Sequence, residues 1–277
     1  MAPDLTFSKK RAVCRVMKHA LVLFAATAAF FIAADRALAG VKLPFGPGER
    51  LTYEIHWTFV HAGDAVLEVM PDTEEGGRPA RHFKAVAKTR PWVDNFYRVR
   101  DFIDAWTDLD VTHSLRYLKD QNEGDYKKKA EIIFNPDDST SRRYVRGDLR
   151  YEMEQPQKVF DPMSTLFAFR KQILYKTMQF GANVTDGKKT VVGEAFVEGT
   201  ETVETPMGEF ETFRVRLDVK HISGVFKKSP NAELLVWFTA DERRIPVKVR
   251  SKVVVGHFTL ELADYRPPGE YETDAVH

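Results

Sequence analysis

Two histidines and an aspartate stand close together in the stretch LTYEIHWTFVHAGDAVLEV, Leu51 to Val69. His56, His61 and Asp64 have the side chains that a metal or catalytic cluster would use. His56 lies on the polar face of an alternating strand, whereas His61 sits beside a break at Ala62-Gly63. Only residues two apart share a face of one strand, so the two histidines need not point together. The stretch is therefore interpreted as β-sheet without a metal site.

Other residues of catalytic type lack the required spacing. The chain has no His-Glu-x-x-His, no Gly-x-Ser-x-Gly and no phosphate-binding glycine loop. Four aspartates in RDFIDAWTDLD lack the alternate carboxylates and central glycine of a calcium loop; they are Asp101, Asp104, Asp108 and Asp110. Asp101, Asp104 and Glu131 could pair as acid and base, but the sequence does not bring them together. We predict no catalytic, cofactor-binding or metal residue, and no enzyme activity.

The aromatic residues give a better indication of function than the residues of catalytic type. They lie on or beside predicted strands, and most are expected in the core. A curved sheet with an aromatic concave face could also hold an apolar ligand beneath a helix. The candidate surface for such a ligand comprises Trp57, Phe59, Phe102, Trp106, Phe167 and Trp237.

Alternation with a period of two residues dominates the part of the chain that must position these side chains. In TFRVRLDVK, Phe213, Val215, Leu217 and Val219 face one way and the polar residues face the other. Such strands belong to an antiparallel sheet with one dry face. The segment ELLVWFTA is apolar on both faces, which predicts that other parts of the protein pack against both faces of this strand. Turn signals such as NPDDS and TPMGE join the strands at short intervals and predict a meander of roughly ten strands.

One segment, FDPMSTLFAFRKQILYK, has helical spacing instead. Asp161 can cap a helix with Pro162 in its first turn, and the apolar residues then recur with helical period up to Leu174. The helix is predicted from Asp161 to Tyr175, across the dry face, where it could act as a lid. The predicted fold is mainly β: a curved antiparallel sheet or open half-barrel with one helix packed across it.

The N-terminus has the features of a secretory signal peptide. Five basic residues precede the apolar run Ala20 to Ala34, and DRALAG supplies a cleavage site after Ala39. An uncleaved anchor is the alternative. We predict a signal peptide at 1–39, a single β-rich domain at 40–266 and a mobile tail at 267–277. The cleaved form would be periplasmic and would have no membrane span.

The remaining 238 residues contain no cysteine, since Cys14 lies in the predicted signal peptide, so stability must come from a hydrophobic core rather than from disulfides. With 35 basic and 38 acidic residues, they offer no electrostatic basis for binding nucleic acid. Lys127 to Lys129 could contact anionic headgroups, although a solvated strand end is the preferred interpretation.

Several motifs together resemble the bacterial exported-protein family known as domain of unknown function 3108. They are the opening Pro47 to Tyr53, the Ala62-Gly63 break, Asp161 to Ser164 before the helix, Trp237 to Pro246, and Gly256. The resemblance covers nearly all of the predicted mature chain. It implies an envelope location and a β-rich fold, and it brings no catalytic residues with it.

Three functions remain open from the sequence. The first is a non-enzymatic periplasmic protein that binds a lipid or another amphiphile, or assists envelope assembly, with partner proteins unknown. The second is a scaffold or interaction protein whose sheet is filled by its own side chains. The third is a hydrolase that uses dispersed carboxylates with His56 or His257. No cofactor is expected in any of them.

Overall fold

The computed structural model describes residues 42–218, 233–253 and 256–269. This part of the chain forms sixteen strands and two short helices. The strands are β1 Arg50–Trp57, β2 Val60–Val69, β3 Thr73–Glu75, β4 Arg78–Thr89, β5 Arg100–Asp108, β6 Ser114–Glu123, β7 Tyr126–Asn135, β8 Thr140–Val145, β9 Asp148–Glu154, β10 Val159–Phe160, β11 Gln179–Thr185, β12 Thr190–Thr205, β13 Gly208–Leu217, β14 Glu233–Thr239, β15 Pro246–Val253 and β16 Gly256–Arg266. The helices are α1 Pro91–Asp94 and α2 Pro162–Arg170.

All sixteen strands belong to one sheet. Its order is β10-β11-β12-β13-β14-β15-β16-β1-β2-β4-β5-β6-β7-β8-β9, with β3 paired to β4. Neighbouring strands are antiparallel, except that β10 pairs with β11 in parallel. The two edge strands, β9 and β10, are consecutive in the chain. Because only residues 155–158 connect them, the sheet must curve until its two edges come close together.

Side chains hold these edges together without a continuous hydrogen-bonded ladder between β9 and β10. The amide of Gln155 donates to Ser141 Oγ on β8 over 2.8 Å and accepts from Thr190 Oγ1 on β12 over 2.6 Å. Gly187, in the turn between β11 and β12, lies so near β8 that an added Cβ would be 2.8 Å from Arg143 Cδ. The predicted mainly β fold, a curved antiparallel sheet or open half-barrel, is confirmed.

The interior contains three hydrophobic clusters, and α2 separates two of them. Cluster 1 includes Phe83 and Phe167, and it fills the side of β4 to β7. Cluster 2 includes Phe169 and Phe238, and it fills the side of β12 to β14. Cluster 3 contains Trp237 with residues from β1, β15 and β16. β14 contributes Val236 and Phe238 to one cluster and Leu235 and Trp237 to another, which confirms that it is covered on both faces.

The strand number and the helix length differ from the predictions. The described residues form sixteen strands where roughly ten were predicted, and two of the additional divisions are the tight turns at Thr58-Phe59 and Gly124-Asp125. Thr58 has φ of 58°, a conformation seldom adopted by β-branched residues. The helix ends at Arg170 rather than Tyr175, and Ile173 is exposed instead of packed. The predicted signal peptide, its cleavage after Ala39, residue Val219 and most of the predicted tail lie outside the described residues.

Candidate apolar ligand site

A cavity of about 370 Å³ lies between α2 and strands β11 to β14. Its apolar walls come from the helix and from four successive strands, and they are formed by Leu166, Phe169, Phe180, Val184, Ala195, Leu217, Leu234, Val236 and Phe238. Phe169, Ala195, Val236 and Phe238 are buried, whereas Leu166, Leu217 and Leu234 stay partly exposed. Partial exposure of these leucines shows that the cavity opens to solvent on that side.

The two faces of α2 have different environments. Phe167 is fully buried away from the cavity: its ring stacks on Phe83 with centroids 3.7 Å apart and meets Phe45 edge-on at 4.9 Å. Leu166 and Phe169 point towards the cavity, where Phe169 contacts Phe180 and Phe238 at 5.5 and 4.9 Å. One face therefore anchors the helix, and the other forms a wall of the cavity.

The start of α2 is fixed by a buried cap, as the sequence predicts. Asp161 Oδ1 accepts hydrogen bonds from the backbone N–H groups of Met163 and Ser164 at 2.8 and 2.9 Å. Its Oδ2 accepts from the Ser114 hydroxyl on β6 at 2.6 Å. Burial raises the pKa of the Asp161 carboxyl above its ordinary value of 3.8, although the hydrogen bonds from serines and backbone act in the opposite direction. The cap thus joins the helix to the wall of the sheet.

The end of α2 is fixed by an ion pair that the sequence did not reveal. Arg170 is completely buried and binds Glu49 through two hydrogen bonds of 2.7 and 2.9 Å. Its remaining donors reach the carbonyl oxygens of Arg243 and Arg244 at 3.2 and 3.1 Å. No local pattern in the sequence shows that Glu49, 121 residues away, meets this arginine.

Charged residues lie at the edge of the apolar cavity. Asp186 and Lys189 come from the turn between β11 and β12, Glu194 comes from β12, and Asp218 directly follows β13. The edge of the cavity therefore carries charges of both signs.

The six residues of the predicted ligand surface do not meet at this cavity. Trp57, Phe59 and Phe102 are 50%, 90% and 44% exposed. Trp106 stacks on His82 at 4.5 Å beneath the guanidinium of Arg116. Trp237, on β14, donates a hydrogen bond from its indole N–H to Glu201, and Phe167 belongs to cluster 1. The apolar part of the cavity lining consists instead of aliphatic side chains and of Phe169, Phe180 and Phe238. Aromatic character alone did not show which face of each strand is enclosed.

The acidic residues considered as catalytic partners or as calcium ligands each have a separate partner in the structure. Asp104 contacts His82 at 2.8 Å, and Asp101 accepts from the backbone N–H of Asn122 at 2.9 Å. Glu131 pairs with Arg116 at 2.6 Å. Asp108 accepts hydrogen bonds from Thr112 in its own turn. These contacts give each carboxylate a structural partner. His56 and His61, in contrast, do come together, with ring centroids 5.2 Å apart.

The family model described as "Protein of unknown function (DUF3108)" matches residues 52–263. The chain belongs to this family. The match begins in β1 and ends in β16, so it includes α2 and the whole wall of the cavity. A comparison with curated proteins found no match.

The fold resembles solved structures at low sequence identity. A β-barrel-like protein of the DUF1849 domain from Brucella abortus is 11% identical, with a TM-score of 0.53, and the alignment covers 80% of this chain and 98% of that one. Two others have TM-scores of 0.35. One is described as an exported protein with a YmcC-like fold from Bacteroides fragilis (12% identity, 82% and 100% coverage), and the other as a lipoprotein from Parabacteroides distasonis (11%, 81% and 98%). The first comparison supports a β-barrel-like fold.

Within the described residues, no helix is both long enough and apolar enough to span a bilayer.

Proposed function

We propose that this protein is a non-enzymatic protein of the bacterial envelope that binds an apolar or amphiphilic ligand in the cavity beside α2. The observation that carries the proposal is an apolar cavity of about 370 Å³ that opens beside a helix anchored at both ends. Small-molecule sites have volumes of roughly 300–1,000 Å³ and mostly apolar walls. The cavity would therefore accept one short acyl chain or a small ring system, rather than a whole phospholipid.

The anchoring of the helix favours a preformed site. Asp161 fixes one end of α2 to β6, and Arg170 fixes the other end to Glu49, so the wall that carries Leu166 and Phe169 is held without ligand. When a ligand covers apolar side chains that are partly exposed, their removal from water stabilises the complex. Because the wall is already in place, binding needs little reorganisation of the protein, and little binding free energy is lost to it.

The location proposed for this activity is the periplasm, with the N-terminal basic and apolar segments acting as the export signal. The nearby charges of Lys189 and Asp186 would lie against the polar part of an amphiphile. Lipids and lipid precursors of the envelope have this combination of an acyl chain and a charged group.

The test is binding of 8-anilinonaphthalene-1-sulfonate, an amphiphilic fluorophore, to the folded protein. Ala195→Phe places a large side chain in the cavity, and Leu234→Lys places a charge on its partly exposed wall. Both variants are expected to weaken binding at least about tenfold, which corresponds to roughly 1.4 kcal/mol. Bound fluorophore is also expected to raise the melting temperature of the wild type.

Phe59→Ala and Phe102→Ala serve as controls, because both aromatic side chains are exposed and away from the cavity walls. These controls should bind the fluorophore like the wild type. If they lose binding while Leu234→Lys retains it, the exposed aromatic surface is the site and the cavity proposal is wrong. If the folded wild type binds no fluorophore or lipid, a scaffold whose interior serves only packing becomes the better explanation.

A further inference from the structure

A second cluster of polar side chains lies on the hairpin formed by β1 and β2. Glu54 and His56 alternate with the buried Tyr53 and therefore lie on the other face of β1. His61 lies opposite His56 at the start of β2. One oxygen of Glu54 and one ring nitrogen of each histidine all lie within 4.8 Å of one another. The cluster combines the ligand types that zinc binds, two imidazoles and a carboxylate.

A β-bulge is what brings the two histidines to one face. Gly63 lies opposite Ile55, so strict pairing would place Ala62 opposite His56 and His61 opposite Trp57. The register instead shifts between Ile55 and His56, and His61 pairs with His56. The extra residue turns the His61 side chain to the face that carries Glu54 and His56, as bulges commonly do where a side chain must be redirected.

The orientation of His61 is that of a metal ligand with an outer partner. Its Nε2 atom lies 2.9 Å from Asp64 Oδ1, and its Nδ1 atom lies 3.7 Å from Glu54 Oε2. Histidines that bind metals usually donate their second N–H to a carboxylate or carbonyl, which fixes the ring and its tautomer. With the Nε2–H group donating to Asp64, the lone pair of Nδ1 faces the centre of the cluster.

His56 adds a second imidazole whose contacts are incomplete. Its Nε2 atom lies 3.5 Å from Glu54 Oε2, and its Nδ1 atom lies 3.7 Å from Glu261 Oε2. Nδ1 is buried and has no hydrogen-bond partner within the part of the chain that is described. Nε2 is the nitrogen that faces Glu54 and would bind the ion, whereas Nδ1 faces Glu261, which would take its N–H as an outer partner after a small side-chain movement.

The charge distribution also favours a cation. Register pairs Glu54 with Asp64 on one side and with Glu261 on the other, so three carboxylates stand side by side across β2, β1 and β16. Like charges directly opposite each other destabilise a sheet. Lys248 contacts Glu261 at 2.7 Å and balances one of the three. Arg90 Nη1 lies 3.9 Å from Asp64 Oδ1 and offsets the second. A divalent ion between Glu54 and the histidines would balance the charge of Glu54.

We propose that Glu54, His56 and His61 bind a divalent transition-metal ion, zinc in the first instance, with Asp64 orienting His61. Glu261 faces the other ring nitrogen of His56, at 3.7 Å, and would orient that ring as Asp64 orients His61. Tetrahedral zinc with bonds of about 2.0–2.2 Å brings its ligand atoms to roughly 3.3–3.6 Å from one another. His56 Nε2 and His61 Nδ1 already lie 3.5 and 3.7 Å from Glu54 Oε2, and no pair of ligand atoms is more than 4.8 Å apart. Rotation about the side-chain bonds can supply the remaining closure.

Two neighbouring groups define the access to this site. Arg90 Nη1 lies 3.3 Å from His61 Nδ1 and must move away when an ion binds. Its side chain is 43% exposed, so it can rotate into solvent. On the other side, Glu204, Thr205 and Pro206 of the β12–β13 hairpin form a groove with Glu54 and His56. The groove leaves the site open to small polar molecules.

The test is zinc binding by the purified full-length protein, measured by competition with a chromophoric chelator and, with cobalt, by visible absorption. One ion per chain is expected at the hairpin. Asp64→Asn removes an outer partner and should weaken zinc affinity by roughly 10–100-fold. His56→Ala, His61→Ala and Glu54→Gln each remove a ligand and should weaken zinc affinity by more than this. Cobalt should give the intense visible bands of a low-coordinate site in the wild type, and the His56→Ala/His61→Ala variant should lose them.

His82→Ala is the matched control, because the chain has eight histidines and other sites could bind zinc weakly. His82 also lies on a strand and contacts a carboxylate, Asp104, at 2.8 Å, but two further ligands do not surround it within the described residues. Its removal should leave the affinity unchanged. Melting curves show whether each variant is folded. Zinc affinity that survives in a folded His56→Ala/His61→Ala variant, or that falls equally in His82→Ala, would overturn the proposal.

Discussion

Arg170 and Glu49 form a completely buried, bidentate ion pair that joins the C-terminal end of α2 to the segment before β1. Neither residue is exposed by more than 1%. Breaking a buried pair leaves one charge without a partner and costs about 3–5 kcal/mol, whereas replacing both partners by apolar residues can be nearly neutral. The pair therefore attaches the C-terminal end of α2 to the segment before β1.

Arg170→Met is expected to lower the free energy of unfolding by about 3–5 kcal/mol, because it leaves Glu49 buried and unpaired. Adding Glu49→Met should restore most of that loss, although the carbonyl groups of Arg243 and Arg244 stay without their donor. Urea unfolding of the two single variants and the double variant measures the coupling. Additive losses would mean that the two side chains do not act as a pair.

Phe167→Ala is expected to cost about 3–5 kcal/mol whether or not a ligand is present, because the side chain contacts Phe83 and Phe45 rather than the cavity. Leu166→Ala should cost less, since Leu166 is partly exposed in the cavity wall, and it should mainly weaken uptake of the fluorophore. Thermal unfolding with and without fluorophore separates the two effects. A larger ligand-induced rise in melting temperature for Leu166→Ala than for Phe167→Ala would contradict this assignment of the helix faces.

Asp161 should make stability depend on pH in the acidic range. Because its pKa is raised in the folded state, the folded chain holds this proton more tightly than the unfolded chain does. The resulting contribution is fully present below the unfolded pKa and is lost as pH rises through the folded pKa. The difference in unfolding free energy between wild type and Asp161→Asn should therefore decrease as pH rises above about 3.8. Denaturant unfolding at several pH values measures it, and a difference that increases with pH would contradict the prediction.

Gly63→Ala should disturb the hairpin and, with it, zinc binding. A Cβ atom at Gly63 would lie 2.5 Å from the Lys88 carbonyl oxygen, so β2 and β4 would have to separate beside the bulge. Gly199→Ala is the matched control, because its Cβ would meet no atom within 4 Å and that glycine also adjoins a register shift. Zinc titration and thermal unfolding of both variants test this. Equal effects of the two substitutions would remove the special role assigned to Gly63.

The sequence by itself determined the fold class, because alternation, turn residues and one capped helix are local signals. Asp161 and Pro162 identified the start of α2 correctly, and the two-sided apolar pattern of β14 indicated its cover on both faces. The resemblance to the family also came from contiguous motifs, and the family model bears it out. These features depend on residues that are near each other in the chain.

Only the tertiary structure decided which side chains meet. Glu49 and Arg170 are 121 residues apart, and the wall of the cavity combines α2 with strands that no local pattern assigns to it. The pairing of His56 with His61 depends on a bulge that shifts the register by one residue, which moves a side chain to the opposite face of the sheet. Alternation along a single strand cannot reveal such a shift, because the partner strand sets the register.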